Sequence, residues 1–181
     1  MSDRGAPVDP RPVVLVGLMG SGKTTVGQRL AASLGRRFID NDEALRAETG
    51  RTTAQIAAEE SVDTLHRREA ETLLSALARP GPTVIAAAAS VVLNADVRRR
   101  LQRDAVVVWL QASDVTLRER LAAPGVRPDL GGQPASVVAE QREARAAWYR
   151  EVADYSVETT GRAPADVVRE VGAFLRHARD G

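Results

Sequence analysis

The sequence has no cysteine among its 181 residues, and aromatic side chains make up only 3% of it. Without cysteine there can be no disulfide scaffold, no zinc ribbon and no thiol nucleophile. The hydrophobic fraction of 44% and the charged fraction of 27% are ordinary for a globular protein with a buried core. These values exclude wholesale disorder, and the length suits a single domain.

Long hydrophobic runs and an excess of one charge are also missing. The longest apolar stretch, Thr83 to Leu93, is about half of the ~20 residues that a membrane helix needs. The polar N-terminus, MSDRGAPVDPRP, has no apolar segment typical of a signal peptide. The net charge is +1, so no broad field attracts nucleic acid or an anionic membrane. We therefore expect a monomeric, cytoplasmic protein that binds neither nucleic acid nor membrane.

Lysine is almost absent. Of the 25 basic residues, 24 are arginine and one is lysine, at position 23. A composition that replaces lysine nearly everywhere else indicates that Lys23 is retained for its ammonium group.

Hydrophobic patterning predicts strands that alternate with helices. The expected strands are 12–16, 37–40, 83–87, 105–111 and 155–159, and the expected helices are 23–34, 42–49, 53–60, 61–78, 94–102, 114–122, 135–152 and one that begins at Pro164. This alternation predicts an α/β fold with a parallel sheet and right-handed crossovers. We expect a flexible N-terminal arm over 1–11, one domain over 12–178, and a lid over about 122–134, where a Gly/Pro-rich segment is long enough to move.

The segment GLMGSGKT at positions 17–24 matches G-x-x-x-x-G-K-[ST] in full, directly after a strand and at the start of a helix. Its glycines allow successive N–H groups to turn inward and form an anion site at a helix N-terminus. Lys23 would reach the β- and γ-phosphates, and the Thr24 hydroxyl would ligate Mg²⁺. The alternative is a glycine-rich turn without a ligand, which the context and the lone lysine disfavour. The predicted nucleotide-binding residues of this loop are Gly20, Ser21, Gly22, Lys23, Thr24 and Thr25.

Two aspartates follow the second strand, at the edge of a parallel sheet where ligands bind. Asp40 could support Mg²⁺, directly or through water, and Asp42 could accept a proton from the attacking hydroxyl or orient it. Alternatively, Asp42 only caps the next helix. No obvious Walker B aspartate, guanine-specificity motif or switch motif is present, so the pattern favours a small-molecule kinase.

Two arginines complete the candidate site. Arg127 lies in the predicted lid and could neutralise charge on the transferred phosphoryl group. Arg145, just before Trp148 and Tyr149, could meet an anionic substrate. Each could instead be an ordinary surface arginine, because arginine is abundant in this chain.

From Val13 to Leu175 the chain resembles the shikimate kinase family. The segments GLMGSGKTTVGQRLA and FIDND, Val126-Arg127-Pro128, and Arg145 ahead of Trp148-Tyr149 are typical of it. The resemblance implies a P-loop, nucleoside monophosphate kinase-like three-layer fold, whose five-stranded parallel sheet has the order 2-3-1-4-5 and carries a mobile lid. It also implies transfer of the ATP γ-phosphate to a ring hydroxyl of a small anionic hydroxy acid, in the pathway to chorismate.

The same resemblance implies individual roles. Thr24 and Asp40 would serve Mg²⁺, and Asp42 would contact the acceptor hydroxyls. Arg120 would pack against the adenine, Arg127 would be the lid arginine, and Arg145 would meet the substrate carboxylate.

The chain departs from the family at two places in the acceptor site. The family has a Phe-Arg-x-x-x-Glu-like segment whose arginine helps to hold the substrate carboxylate, and His66 stands where that arginine belongs. Arg67 lies about 100° further round the helix and is not an automatic substitute. The family also ends its third strand with three glycines, where this chain has the run from Ala86 to Ala89. The added methyl groups, Ala87 and Ala88 among them, would crowd an acceptor, and the helix preference of alanine would favour another loop shape.

The sequence therefore predicts a kinase of this type whose acceptor is altered or whose activity on shikimate is weak. Three alternatives stay open. His66 could act with Arg67 or Arg68 in a fully active enzyme. The chain could be a nucleotide-binding regulatory protein, or it could phosphorylate another small acid such as gluconate.

Overall fold

A five-stranded parallel sheet forms the centre of the protein, in the order β2-β3-β1-β4-β5. The computed structural model describes residues 9–123 and 135–177. The strands are β1 (Val13–Val16), β2 (Arg37–Asp40), β3 (Thr83–Ala86), β4 (Val106–Gln111) and β5 (Tyr155–Glu158). The predicted fold class and strand order are confirmed.

Helices cover both faces of the sheet, as continuous apolar strands require. In the described ranges they are α1 (Lys23–Leu34), α2 (Asn41–Thr49), α3 (Thr53–Glu59), α4 (Val62–Leu77), α5 (Ala95–Asp104), α6 (Asp114–Ala122), α7 (Ala135–Val152) and α8 (Pro164–His177). The strand and helix bounds agree with the sequence-based ones to within two residues. A 3₁₀ helix, Val91–Leu93, was not predicted.

The central strand shows why the sheet is buried on both sides. All four residues of β1 are fully buried. Val13 and Leu15 pack with side chains of α1 and α8, whereas Val14 and Val16 pack with those of α4, α5 and α7. Because alternate side chains of a strand point to opposite faces, this one segment joins two apolar cores.

The chain enters β1 through ordered contacts. The Asp9 carboxylate accepts hydrogen bonds from the backbone and the guanidinium of Arg11, and Arg36 donates to the carbonyls of both residues. Asp9 and Arg11 belong to the segment assigned to the N-terminal arm, and positions 1–8 of that arm lie outside the described residues. The same is true of 124–134, the larger part of the predicted lid, and of residue 178. Within the described part of the chain, no helix is both long and apolar enough to cross a membrane.

Candidate active site

A cleft of about 820 Å³ opens at the carboxyl ends of β1, β2 and β3. This is the edge of a parallel sheet at which ligands bind. Most of the predicted site residues that the structure describes line it: Gly20, Gly22, Lys23, Thr24, Thr25, Asp40, Asp42, His66, Ala87, Ala88, Arg120 and Arg145. Ser21 is buried beneath the loop, 1% exposed, and Arg127 lies outside the described residues.

The phosphate loop takes a shape that requires its glycines. Gly17 has φ +144° and Gly22 has φ +97°, which L side chains rarely adopt. A Cβ on Gly17 would lie 2.4 Å from the Leu110 carbonyl oxygen, so the loop also packs too closely against β4 for any side chain there. The Lys23 ammonium donates to the carbonyls of Gly17 and Leu18 at 2.9 and 3.0 Å. The ammonium is thus held across the loop, beside the N-terminus of α1.

Distant residues hold the loop from outside. The hydroxyl of Thr159, just after β5, lies within hydrogen-bond distance of two carbonyl oxygens, that of Gln111 at 2.9 Å and that of Ser21 at 3.2 Å. The Arg120 guanidinium donates to the Gly20 carbonyl at 3.1 Å and to the Thr159 carbonyl at 2.9 Å. Arg120 therefore lines the cleft and also ties the phosphate loop to the sheet edge. The sequence alone gave no signal for Thr159, because its partners are far away along the chain.

Asp40 joins the phosphate loop to α2. Its Oδ1 accepts from the backbone N–H groups of Asp42 and Glu43, which makes Asp40 the N-cap of α2, and its Oδ2 accepts from the Thr24 hydroxyl at 2.7 Å. Asp40 is 5% exposed. The hydroxyl and the carboxylate are hard oxygen ligands of the kind that Mg²⁺ prefers, and Mg²⁺ commonly needs only one or two protein ligands besides substrate phosphates. The residues present thus fit Mg²⁺.

Asp42 is the second residue of α2 and lines the cleft. The capping alternative considered for Asp42 is wrong, because Asp40 performs that function. Asp42 therefore lies in the first turn of α2 and lines the cleft without being the capping residue.

We call one part of the cleft the acceptor end, because the sequence predicts acceptor binding there. It is lined by Asp42, His66, Glu69, Ala87–Ser90 and Arg145. Arg145 is 8% exposed, so it is not a surface arginine. Its Nη1 donates a hydrogen bond to the Gln141 side-chain oxygen at 3.4 Å. Burial lowers the pKa of His66, and the neighbouring Arg145 charge lowers it further. The imidazole is therefore neutral at pH 7.

Glu69 is a site residue that the sequence analysis did not assign. It is 7% exposed, one helical turn after His66 on the same face of α4, and its carboxylate accepts from the Ser90 hydroxyl. Burial raises its pKa to about 7, with the Ser90 hydrogen bond acting in the opposite direction and the Asp42 charge adding to the rise. The spacing from His66 was the signal that could have found it.

The four alanines do not extend into a helix. Ala86 ends β3, the N–H of Ala87 donates to the Leu15 carbonyl at 3.0 Å, and the Ala89 carbonyl accepts from the Tyr149 hydroxyl at 2.7 Å. Ala87 and Ala88 are buried. Bonds to β1 and α7 hold the segment in place, and Ala89 begins a turn that leads into the 3₁₀ helix. That this loop differs in shape from the glycine loop of the family stays a prediction.

A family model for shikimate kinase matches residues 19–176. The chain belongs to the shikimate kinase family. A shikimate kinase of Symbiobacterium thermophilum is 41% identical over 162 residues, which cover 88% of this chain and 92% of the relative. Shikimate kinase 2 of Escherichia coli is 40% identical over 169 residues, covering 91% and 95% of the two chains.

A solved structure supports the same family assignment. A shikimate kinase from Acinetobacter baumannii, solved in complex with shikimate, superposes with a TM-score of 0.86 at 30% identity and covers 93% of this chain and 94% of its own. Membership of the shikimate kinase family confirms the prediction of a small-molecule kinase that transfers phosphate to a hydroxyl, and the family uses ATP.

Proposed function

We propose that the protein transfers the γ-phosphoryl group of ATP to a hydroxyl of shikimate, with Mg²⁺ bound by Thr24 and Asp40. The observation that carries the proposal is the single cleft that contains both a complete phosphate loop and, at its other end, Asp42 and Arg145. The likeness to a shikimate kinase that was solved with shikimate supports the same acceptor.

The residues of the cleft support an in-line transfer. Asp42 orients the acceptor hydroxyl and takes its proton as the oxygen attacks, while Lys23 leaves the Gly17 and Leu18 carbonyls to pair with phosphate oxygens. A bond forms between the acceptor oxygen and the γ-phosphorus, the bond from that phosphorus to the β-phosphate oxygen breaks, and ADP leaves. Bound Mg²⁺ would neutralise charge on the phosphates. Arg145 would hold the acceptor carboxylate.

Release of ADP on addition of shikimate, with ATP and Mg²⁺ present, tests the proposal. Asp42→Asn should lower kcat by about 10²- to 10⁴-fold while the affinity for an ATP analogue is retained. Glu43→Gln is the matched control, because Glu43 is the exposed neighbour on the same helix and does not line the cleft. Nucleotide binding without turnover of shikimate would contradict the proposal and would favour a regulatory role.

We also propose a monomeric, cytoplasmic enzyme. The proposed transfer uses the phosphate loop, Asp42 and Arg145 of a single cleft and assigns no role to a residue of a second copy. Light scattering on the purified protein should give a mass near 19.4 kDa.

A further inference from the structure

The acceptor end of the cleft has little positive charge for a pocket that holds an acid. Among the described lining residues, three are permanent cations, and two of them point their charge at the phosphate loop: Lys23 and Arg120 both donate to loop carbonyls. Arg145 is the remaining one. It shares the acceptor end with the carboxyl groups of Asp42 and Glu69. Among the residues that the structure describes, an acceptor carboxylate would therefore meet one guanidinium and two carboxyl groups.

His66 does not add to that positive charge. It is half-buried in the cleft wall, and the groups that face it are Arg145, whose charge opposes its protonation, and Asp63, whose charge favours it. Burial and the Arg145 charge together outweigh Asp63, so the net effect is a lowered pKa of His66. The imidazole consequently offers one hydrogen-bond donor and one acceptor, which suits a hydroxyl or an amide as well as a carboxylate.

The wall beside His66 is apolar. Five small or aliphatic side chains of α3 and the first turn of α4 line the cleft there: Ala54, Ala57, Ala58, Val62 and Leu65. Val62 is 55% exposed and is one of two large hydrophobic side chains exposed in the described ranges. Such a wall packs against the carbon skeleton of a ring and offers no charge or hydrogen bond that would favour a carboxylate over an uncharged substituent.

We propose that the acceptor site also takes uncharged cyclic polyols, and that His66 is the residue that sets this specificity. The inference rests on the proposed function, since it concerns the same cleft and the same transfer. The chemistry is unchanged: the polyol oxygen bonds to the γ-phosphorus, its proton passes to Asp42, and ADP leaves. Asp42, His66 and Glu69 bind hydroxyl groups. Arg145, the one guanidinium that the described part of the chain brings to this end, leaves only a modest advantage to an acid.

A pair of acceptors of equal size tests the proposal: shikimate and its primary carboxamide, in which an uncharged amide replaces the carboxylate. With the wild-type protein, kcat/KM for the acid should exceed that for the amide by less than about tenfold. His66→Arg adds a second guanidinium and should raise this ratio about tenfold to thirtyfold, mainly through KM for the acid. His66→Asn stays neutral and should leave the ratio within about threefold of the wild type.

Glu71→Gln is the matched control for His66→Arg. Glu71 is exposed on the same helix, does not line the cleft, and its replacement changes the net charge of the protein by the same amount. It should leave the ratio unchanged. Binding of an ATP analogue shows that each variant is folded.

The possible failures are distinguishable. A wild-type preference for the acid above about a hundredfold, or an unchanged ratio in a folded His66→Arg variant, overturns the inference and leaves the proposed function standing. The absence of turnover with both acceptors, while ATP is bound, overturns the proposed function and the inference together.

Discussion

Asp40 uses its two carboxylate oxygens for two tasks. Oδ1 caps α2, and Oδ2 accepts a hydrogen bond from the Thr24 hydroxyl, at the proposed Mg²⁺ site. The cap needs an acceptor oxygen only, whereas the proposed ligation of Mg²⁺ would gain from the negative charge. A substitution that keeps one oxygen and removes the charge separates the two.

Asp40→Asn should therefore leave stability almost unchanged and weaken catalysis. Asparagine is as good an N-cap as aspartate, so the free energy of unfolding should change by less than about 1 kcal/mol. Turnover at limiting Mg²⁺ should fall about 10- to 100-fold, because the amide that replaces Oδ2 is a poor metal ligand. Urea unfolding and a titration of ATP turnover with Mg²⁺ measure the two effects. Loss of stability without a change in Mg²⁺ dependence would show that Asp40 is structural only.

At the scale of elements, α1 and α8 each contain one buried glycine, and the two differ in how much space surrounds them. A Cβ on Gly27 would lie 2.5 Å from the ring of Phe38, on β2, and 3.3 Å from Leu15. A Cβ on Gly172 would meet only the far end of Arg176, at 3.5 Å. The glycine of α1 is thus required by helix-to-sheet packing, and the glycine of α8 is not.

The two alanine variants should have opposite effects. Gly172→Ala should raise the free energy of unfolding by about 0.5–1 kcal/mol, since alanine is the better helix former. Gly27→Ala should lower it by about 1–3 kcal/mol, because the overpacking of Phe38 outweighs the same gain. Chemical denaturation of the two single variants measures both. Equal effects would mean that the Gly27 contact relaxes easily.

Elements were easier to predict than the contacts between them. The strand-loop-helix order around GLMGSGKT is local, so hydrophobic patterning and glycine spacing were sufficient to place β1 and α1. The loop after β3 could not be placed in this way, since helix preference is local but the bonds from Ala87 to Leu15 and from Tyr149 to Ala89 are not. Thr159 was missed for the same reason, because its partners lie far away along the chain. For Glu69 the spacing from His66 was a local signal, but its burial and its bond to Ser90 appear only in the folded chain.

On the scale of the whole molecule, the buried Glu69 makes global stability depend on pH. Its pKa is raised from 4.5 to about 7 in the folded protein, chiefly by burial. Between these two values the folded state binds more protons than the unfolded state, so the free energy of unfolding falls as the pH rises. The loss is complete above the folded pKa and amounts to about 3 kcal/mol.

Glu69→Gln should remove this dependence. The variant should lose less stability than the wild type between pH 5 and 8, because its amide carries no proton equilibrium. Glu71→Gln, on the exposed face of the same helix, should follow the wild type. Urea unfolding at four or five pH values measures the slopes. Parallel plots of unfolding free energy against pH for Glu69→Gln and the wild type would contradict the raised pKa of Glu69.

The anchoring of the phosphate loop by Thr159 and Arg120 has a consequence for synthesis of the chain. Thr159 lies 138 positions after Ser21, whose carbonyl it binds, and Arg120 reaches Gly20 from 100 positions away. During translation the phosphate loop is synthesised early, and Arg120 and Thr159, which contact it, are synthesised late. A nascent chain that has not emerged as far as Thr159 lacks the bonds that hold the loop in shape. We therefore expect competence to bind nucleotide to arrive only near the end of translation.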